Sequence, residues 1–401
     1  MIHRFSLRLF LVFLVVVGVG FFLRTSTLAA SSIAKLHVPV CPGPNNEDSV
    51  RCHARVVIDQ KGKPDTTSTP AAYSPQQFLS AYGLGTGLAA APQTIAIVDA
   101  YDHPNIKADL DTYNQRFGLP FFPDCSPTVT SECFQKVDQN GGTNYPSGNA
   151  GWALEISLDV EIAHAICQNC KILLVEANSS SFTDLMTAVE TAKSQGAKII
   201  SNSYGSSGEF SGQTAYDSHF NVPGTVFTFS SGDSGYGTSY PAASPYVVAV
   251  GGTTLNLDSS NHYLSESAWN GSGSGCSKYE AQSSWQTALH LSGCTKRMIA
   301  DVSADADPNT GAAVYDSVPY NGKSGWFQVG GTSLSAPLIA GVYALSGNVN
   351  PPAPYGNTSN LRDVKTGNNG RCSRTAPYLC TASVGYDGPT GLGTPNGFGA
   401  F

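Results

Sequence analysis

The sequence predicts an α/β fold of three layers, in which a mainly parallel central sheet of about seven strands is flanked by helices. Two observations carry this. Short β-branched runs at residues 94–98, 172–175, 199–203, 225–229, 247–250, 312–315 and 326–329 alternate with stretches at 106–117, 154–166 and 182–194, each long enough for a helix; such alternation builds parallel sheets. The runs are also apolar on both faces, as suits strands covered on both sides. Hydrophobic residues make up 41% of the 401 and charged residues 13%, ample material for a packed core. The 42 glycines and 24 prolines follow no repeat, which excludes collagen-like and low-complexity classes.

At the N-terminus, Arg4 and Arg8 precede an unbroken apolar run at 9–23 and the small-residue stretch Leu28-Ala29-Ala30-Ser31. Residues 1–30 therefore read as an export signal cut after Ala29 or Ala30. The run is short for a bilayer span of about 20 residues; the alternative, an uncleaved anchor, draws on Arg24 directly after it. The mature chain is expected outside the cell without stable membrane association. A net charge of -7 with no basic cluster excludes nucleic acid as a partner.

The ten cysteines fall into close-set pairs, Cys41 with Cys52, Cys125 with Cys133, Cys167 with Cys170, Cys276 with Cys294 and Cys372 with Cys380. An even count in an exported chain reads as disulfides, and local pairing is expected because each pair brackets a loop. Cys167 and Cys170 have no second ligand pair at zinc spacing, and they do not open a helix after a strand as a redox pair would. Residues 31–72, polar and Pro-, Thr- and Ser-rich with a short apolar piece at 54–58, read as an N-terminal extension or linker. One large domain follows at 73–401.

The most specific segment is Gly330-Gly331-Thr332-Ser333-Leu334-Ser335-Ala336-Pro337 before the apolar stretch 338–345. A strand ends at Val329, two glycines allow a tight turn, and a helix begins near Ser333 with Pro337 in or near its first turn. A serine there stands where unpaired N–H groups meet an oxyanion. A plain capping role leaves the double glycine and the Thr-Ser-x-Ser-x-Pro unexplained. A nucleophile needs a base, and none of the eight histidines stands in a His-Gly-Thr setting; His164 reads as an ordinary helix residue. Glu155 and Asp159 share a helix face four residues apart, beside a buried stripe of Leu154, Leu158, Ile162 and Ala165. Alone, such a pair reads as a polar helix face. Asp233, in Ser230-Ser231-Gly232-Asp233-Ser234-Gly235, lies at a strand end in a Gly-rich loop, where parallel sheets place catalytic groups, although Asp-Ser-Gly is also ordinary turn chemistry.

Taken in order, the Glu-x-x-x-Asp, Ser-Gly-Asp-Ser-Gly and Gly-Gly-Thr-Ser motifs resemble the sedolisin family, serine-carboxyl peptidases of subtilisin-like fold. The resemblance runs from about Tyr73 to Phe401 and includes the segment Tyr73-Ser-Pro-Gln-Gln-Phe-Leu-Ser-Ala-Tyr-Gly-Leu84. It implies Ser333 as nucleophile, Glu155 as base, Asp159 as its partner and Asp233, while protonated, as oxyanion donor, hence work in acid. Ser335 is the fallback nucleophile, and Asp99 matches an aspartate strand of subtilisins only loosely. Ser203, Tyr204 and Gly205 resemble the edge on which such enzymes lay an extended peptide.

The family binds one structural calcium through two aspartates and backbone carbonyls. Carried across, these are the side chains of Asp363 and Asp387 with the carbonyls of Val364, Ser383 and Gly385, hard oxygens on Gly-rich turns. The function implied is endopeptidase action on polypeptides, by a monomer. The alternatives are a catalytically silent binding protein on the same fold, a neutral subtilisin, or an exopeptidase of the same family. Family members carry a long inhibitory prodomain, and residues 31–72 are far shorter.

Overall fold

The apolar runs form a central sheet because helices packed against it bury their side chains. This is a computed structural model that describes residues 1, 34–43 and 48–401; the expected signal run and cleavage site lie outside the described residues. Lys35–Phe401 form one compact unit. Its eight-stranded sheet runs in the order Tyr263–Ala268, Val248–Leu257, Val226–Ser230, Ile199–Asn202, Thr94–Ala100, Lys171–Ala177, Phe134–Asp138, with Val302–Asp305 added on Val248–Leu257. All pairings are parallel except that of Tyr263–Ala268, which is antiparallel.

Two of the expected sheet runs lie elsewhere. Ala312–Tyr320 and Lys323–Gly330 belong to a separate four-stranded antiparallel sheet with His37–Pro39 and Arg55–Val57. The reason is the turn between them, Asn321-Gly322, with φ of 50° and 78°. A two-residue turn with positive φ at both positions closes an antiparallel hairpin, whereas parallel neighbours need a long crossover. Residues 31–72, read as an extension or linker, are thus woven into the domain's sheets from His37 onward.

Helices Ile106–Phe117 and Phe182–Ser194 fall where the sequence places them. Helix Ala150–Ile166 starts one turn before the expected 154, because the Asn149 side chain accepts from the N–H groups of Gly151 and Trp152 at 3.0 and 3.1 Å and caps it there. It packs against helix Thr332–Ser346. Both are buried on nearly every face, as helices inside a large core are. Their polar residues therefore face protein rather than water. All five local disulfides are present. Among the described residues no helix is long and apolar enough to cross a membrane.

Candidate active site

Strand Lys323–Gly330 turns into helix Thr332–Ser346 through Gly331, whose φ of 95° admits glycine far more readily than other residues. A Cβ there would collide with the His53 carbonyl oxygen and stand 2.6 Å from Asp233 Oδ2, so this turn brings two chain segments against the helix start. Ser333 is the helix's second residue, its N–H free of an intrahelical partner; it donates to the His53 carbonyl at 3.3 Å. Pro337, four residues on, has no N–H to give to Ser333. The freed Ser333 carbonyl accepts from Ser203 Oγ at 3.5 Å, while Ser333 Oγ donates to the Ser203 carbonyl at 3.2 Å. Ser335 Oγ donates to Thr332 within the helix at 3.0 Å, so of the two serines it is Ser333 that faces the neighbouring groups.

Those neighbours are carboxyls. Glu155 and Asp159, one turn apart on helix Ala150–Ile166, and Asp99 near the end of strand Thr94–Ala100 are all 0% exposed. None of their six oxygens has a hydrogen bond of good geometry. Burial, reinforced by Asp159 and Asp99, holds Glu155 well above the ordinary carboxyl range, and the nearby Ser333 hydroxyl pulls the other way. Burial and then Asp99 raise Asp159, opposed by the Ser203 hydroxyl. Burial pushes Asp99 up to about 8. Like charges sharing one dry site lose their protons at separate pH values, so the trio keeps protons in acid and passes through a state with a single negative charge. The sequence left Asp99 at the margin because its strand and the helix are far apart in the chain; only the packing of the helix against that strand brings them together.

Asp233 follows strand Val226–Ser230. Its Oδ1 accepts from Thr332 N–H at 2.8 Å and Thr332 Oγ1 at 2.9 Å. Its Oδ2 is buried with no partner. Burial pushes this carboxyl up to about 6, against the Thr332 bonds and the charges of Arg55 and Arg51. Below that pH it carries a proton.

Ser203, Tyr204 and Gly205 lie beside the same centre, and their edge is taken by the chain itself. Arg51–Cys52 pairs antiparallel with Tyr204–Gly205, and His53 N–H donates to the Ser203 carbonyl at 3.0 Å. His53 lines a cavity of about 180 Å³ together with Ser206, Ser207, Ser231 and Gly232, its Nδ1 2.7 Å from Ser230 Oγ. A Cβ on Gly205 would stand 2.8 Å from the His53 ring, so this glycine leaves the ring its room. His164 lies apart from this chemistry, its ring centroid 4.1 Å from that of Phe122 and burial holding it down at about 3.

At the C-terminal turns, Asp363 Oδ2 accepts from Gly385 N–H at 3.0 Å and Asp387 Oδ2 from Ser383 N–H at 2.9 Å. Asp363, Ser383, Gly385 and Asp387 thus form one cluster with Val364 adjoining, and Asp363 Oδ1 is buried there without a partner. Cys372–Cys380 closes the loop between the two aspartates.

The profile of the subtilase family matches residues 136–366. The chain is 28% identical to sedolisin of Pseudomonas sp. (strain 101), over 87% of this chain and 64% of that one. It is 31% identical to xanthomonalisin of Xanthomonas sp. (strain T-22), over 81% and 45%, and 30% identical to kumamolisin of Bacillus sp. (strain MN-32), over 82% and 63%. It therefore spans less than two thirds of the length of each of these relatives. Among solved structures it is similar to Pseudomonas sedolisin, a serine-carboxyl proteinase complexed with two molecules of pseudo-iodotyrostatin, with a TM-score of 0.65 and 27% identity over 82% of this chain and 96% of that one. The chain belongs to the subtilase family and, within it, to the sedolisins.

Proposed function

We propose that the chain is an exported serine-carboxyl endopeptidase that hydrolyses polypeptides in acid. One observation carries this reading: the Ser333 N–H donates to the His53 carbonyl with the unpartnered Asp233 Oδ2 near that turn, and the buried Glu155, itself facing Asp159 and Asp99, adjoins the Ser333 hydroxyl. Ser333 Oγ attacks the scissile carbonyl and Glu155 takes its proton. Asp159 and Asp99 share and orient the charge of Glu155. Asp233, protonated, donates to the developing oxyanion, which an ionised carboxylate has no proton to do; such a donor is typically worth about 3–4 kcal/mol. Glu155 later returns its proton to the leaving amine. Chain pairs with the edges on both sides of Ser333, at Tyr204–Gly205 and at Val329 and Gly330, and this through-running cleft favours endopeptidase over exopeptidase action. Five disulfides support export.

Because the donating form of Asp233 exists below about pH 6, activity is expected to fall as pH rises through that value. Asp233→Asn tests this. An amide with its oxygen on Thr332 presents an N–H at the Oδ2 position at every pH, so this variant is expected to stay within about tenfold of wild type near pH 4 and to lose its activity at higher pH than wild type. A pH profile of casein hydrolysis that falls at the same pH in both would refute the donor role.

The Asp363–Asp387 cluster fits one calcium ion, held by the two carboxylates and the carbonyls of Val364, Ser383 and Gly385. The orphaned Asp363 Oδ1 offers a hard oxygen ligand, and the Asp363 carboxylate adds to the burial that raises Asp387, a repulsion a cation relieves. The ion would tie two loops together and take no part in the chemistry. Thermal unfolding with excess calcium against a chelator is expected to show a midpoint about 5 °C higher with calcium, and the difference should vanish in Asp387→Ala.

A further inference from the structure

We infer that the chain holds one zinc ion in a buried site of its own, with His103, Asp109 and Asp316 as ligands. The site shares no residue with the catalytic centre or with the Asp363–Asp387 cluster. It lies where three elements meet: helix Ile106–Phe117, helix Ala150–Ile166 and strand Ala312–Tyr320.

The three ligands come from distant parts of the chain. His103 follows strand Thr94–Ala100, Asp109 stands in the first turn of helix Ile106–Phe117, and Asp316 lies on strand Ala312–Tyr320. They are 0%, 2% and 0% exposed, and one ligand atom of each lies within 4.8 Å of the other two. His103 Nε2 is 3.4 Å from Asp109 Oδ2 and 3.3 Å from Asp316 Oδ1. A charge-assisted N–H···O bond would bring such atoms to about 2.7–2.9 Å. Ligands held about 2.0–2.2 Å from one tetrahedral zinc stand about 3.3–3.6 Å from each other. The spacing is therefore long for an ion pair and right for a shared metal.

The surroundings point the same way. Asp109 Oδ2 is held by the Ser317 N–H and hydroxyl, both at 3.0 Å, and Asp316 Oδ1 by the Val318 N–H at 2.7 Å, the kind of outer contact that orients metal ligands. Asp316 Oδ2 is buried with no partner. So is Oε1 of Glu161, a side chain that is 0% exposed and faces both aspartates; its Oε2 accepts from the Tyr315 N–H at 3.0 Å, next to Asp316. Among the described residues no lysine or arginine pairs with any of these three carboxyls. Buried carboxylates without a cation are costly, and a divalent ion supplies the missing charge. Ser157 Oγ, 3.0 Å from His103 Nε2, and Glu161 Oε1 put oxygen at hand for a fourth position. Binding through Nε2 leaves the ring proton on Nδ1 and gives up the 3.1 Å contact there with the Asn105 N–H. Asn105 is exposed, so water takes that contact over. A site this enclosed acquires its ion as the chain folds, and the ion joins the two helices to the antiparallel sheet.

The test takes the full chain without an affinity tag, produced in zinc-supplemented medium and desalted near pH 7, and measures its zinc by elemental mass spectrometry. One zinc per chain is expected in the wild type and in Asp387→Ala, where the calcium cluster is disabled. His103→Gln and Asp316→Asn, with folding checked by circular dichroism, should keep less than about a tenth of it. Stripping the Asp387→Ala chain with a strong chelator should lower its thermal midpoint by about 5 °C, and zinc but not calcium should restore it. Co²⁺ in place of zinc in the wild type should give the intense visible bands of a four-coordinate ion, a reading that needs no ligand variant. A wild-type chain without zinc, zinc kept by folded His103→Gln and Asp316→Asn, zinc lost with Asp387→Ala, or the weak bands of six-coordinate Co²⁺ would each overturn the inference.

Discussion

Replacing Ser333 by alanine is expected to lower hydrolysis of denatured casein on the order of 10⁶-fold, the scale on which loss of a nucleophile leaves only binding and oxyanion donors at work. The fold should survive. The side chain makes one hydrogen bond, to the Ser203 carbonyl at 3.2 Å, and a neutral bond of this kind contributes about 1 kcal/mol. The main-chain N–H that meets the His53 carbonyl remains in the variant. Activity and stability are thus expected to part company, which circular dichroism and a thermal midpoint beside the rate would read. A loss of only a few fold would move the nucleophile elsewhere, and Ser335 is a poor candidate because its hydroxyl is engaged within its own helix.

Glu155→Gln carries the second large effect. Glutamine fills the same space and cannot take a proton, so the rate should fall on the order of 10⁴-fold or more. Stability should move the other way. Glu155 is fully buried without a hydrogen bond and faces Asp159 and Asp99, and a neutral amide relieves both the desolvation and the repulsion. Because burial raises this carboxyl above its ordinary value, its neutral form is favoured in acid and the penalty for the charge grows as pH rises. The gain in thermal midpoint should accordingly be larger near pH 7 than near pH 4. A residue that only held the helix in place would lose stability on this change, and an unfavourable shift in midpoint would argue for that role instead.

Much of this site was legible before the structure because its parts are local. Gly330 to Pro337 announce a strand, a turn needing positive φ and a helix start within eight residues, and Glu155 with Asp159 obey helical spacing. What stayed hidden depends on long-range pairing. Nothing near Arg51 or Val56 shows that these residues sit on Tyr204–Gly205 and Val329, and a mixed polar stretch with one disulfide reads as a linker when its partners are unseen. Asp99 was hidden for the same reason. The misplaced strands at 312–315 and 326–329 are a different matter. The Asn321-Gly322 dipeptide between them is a strong hairpin signal, and giving it weight over the general α/β alternation would have placed both in an antiparallel sheet.

The proposed chemistry joins a serine nucleophile to a carboxylate base, Glu155, and to a carboxyl, Asp233, that must hold its proton to donate. The measurement that tests it most directly is casein hydrolysis by the wild-type chain and by Ser333→Ala, side by side, from roughly pH 2 to 8. The expected result is an acid optimum in the wild type, a decline as pH passes about 6 where Asp233 ionises, and no measurable rate in the variant at any pH. An alkaline optimum, or a variant that keeps the wild-type profile, would contradict it.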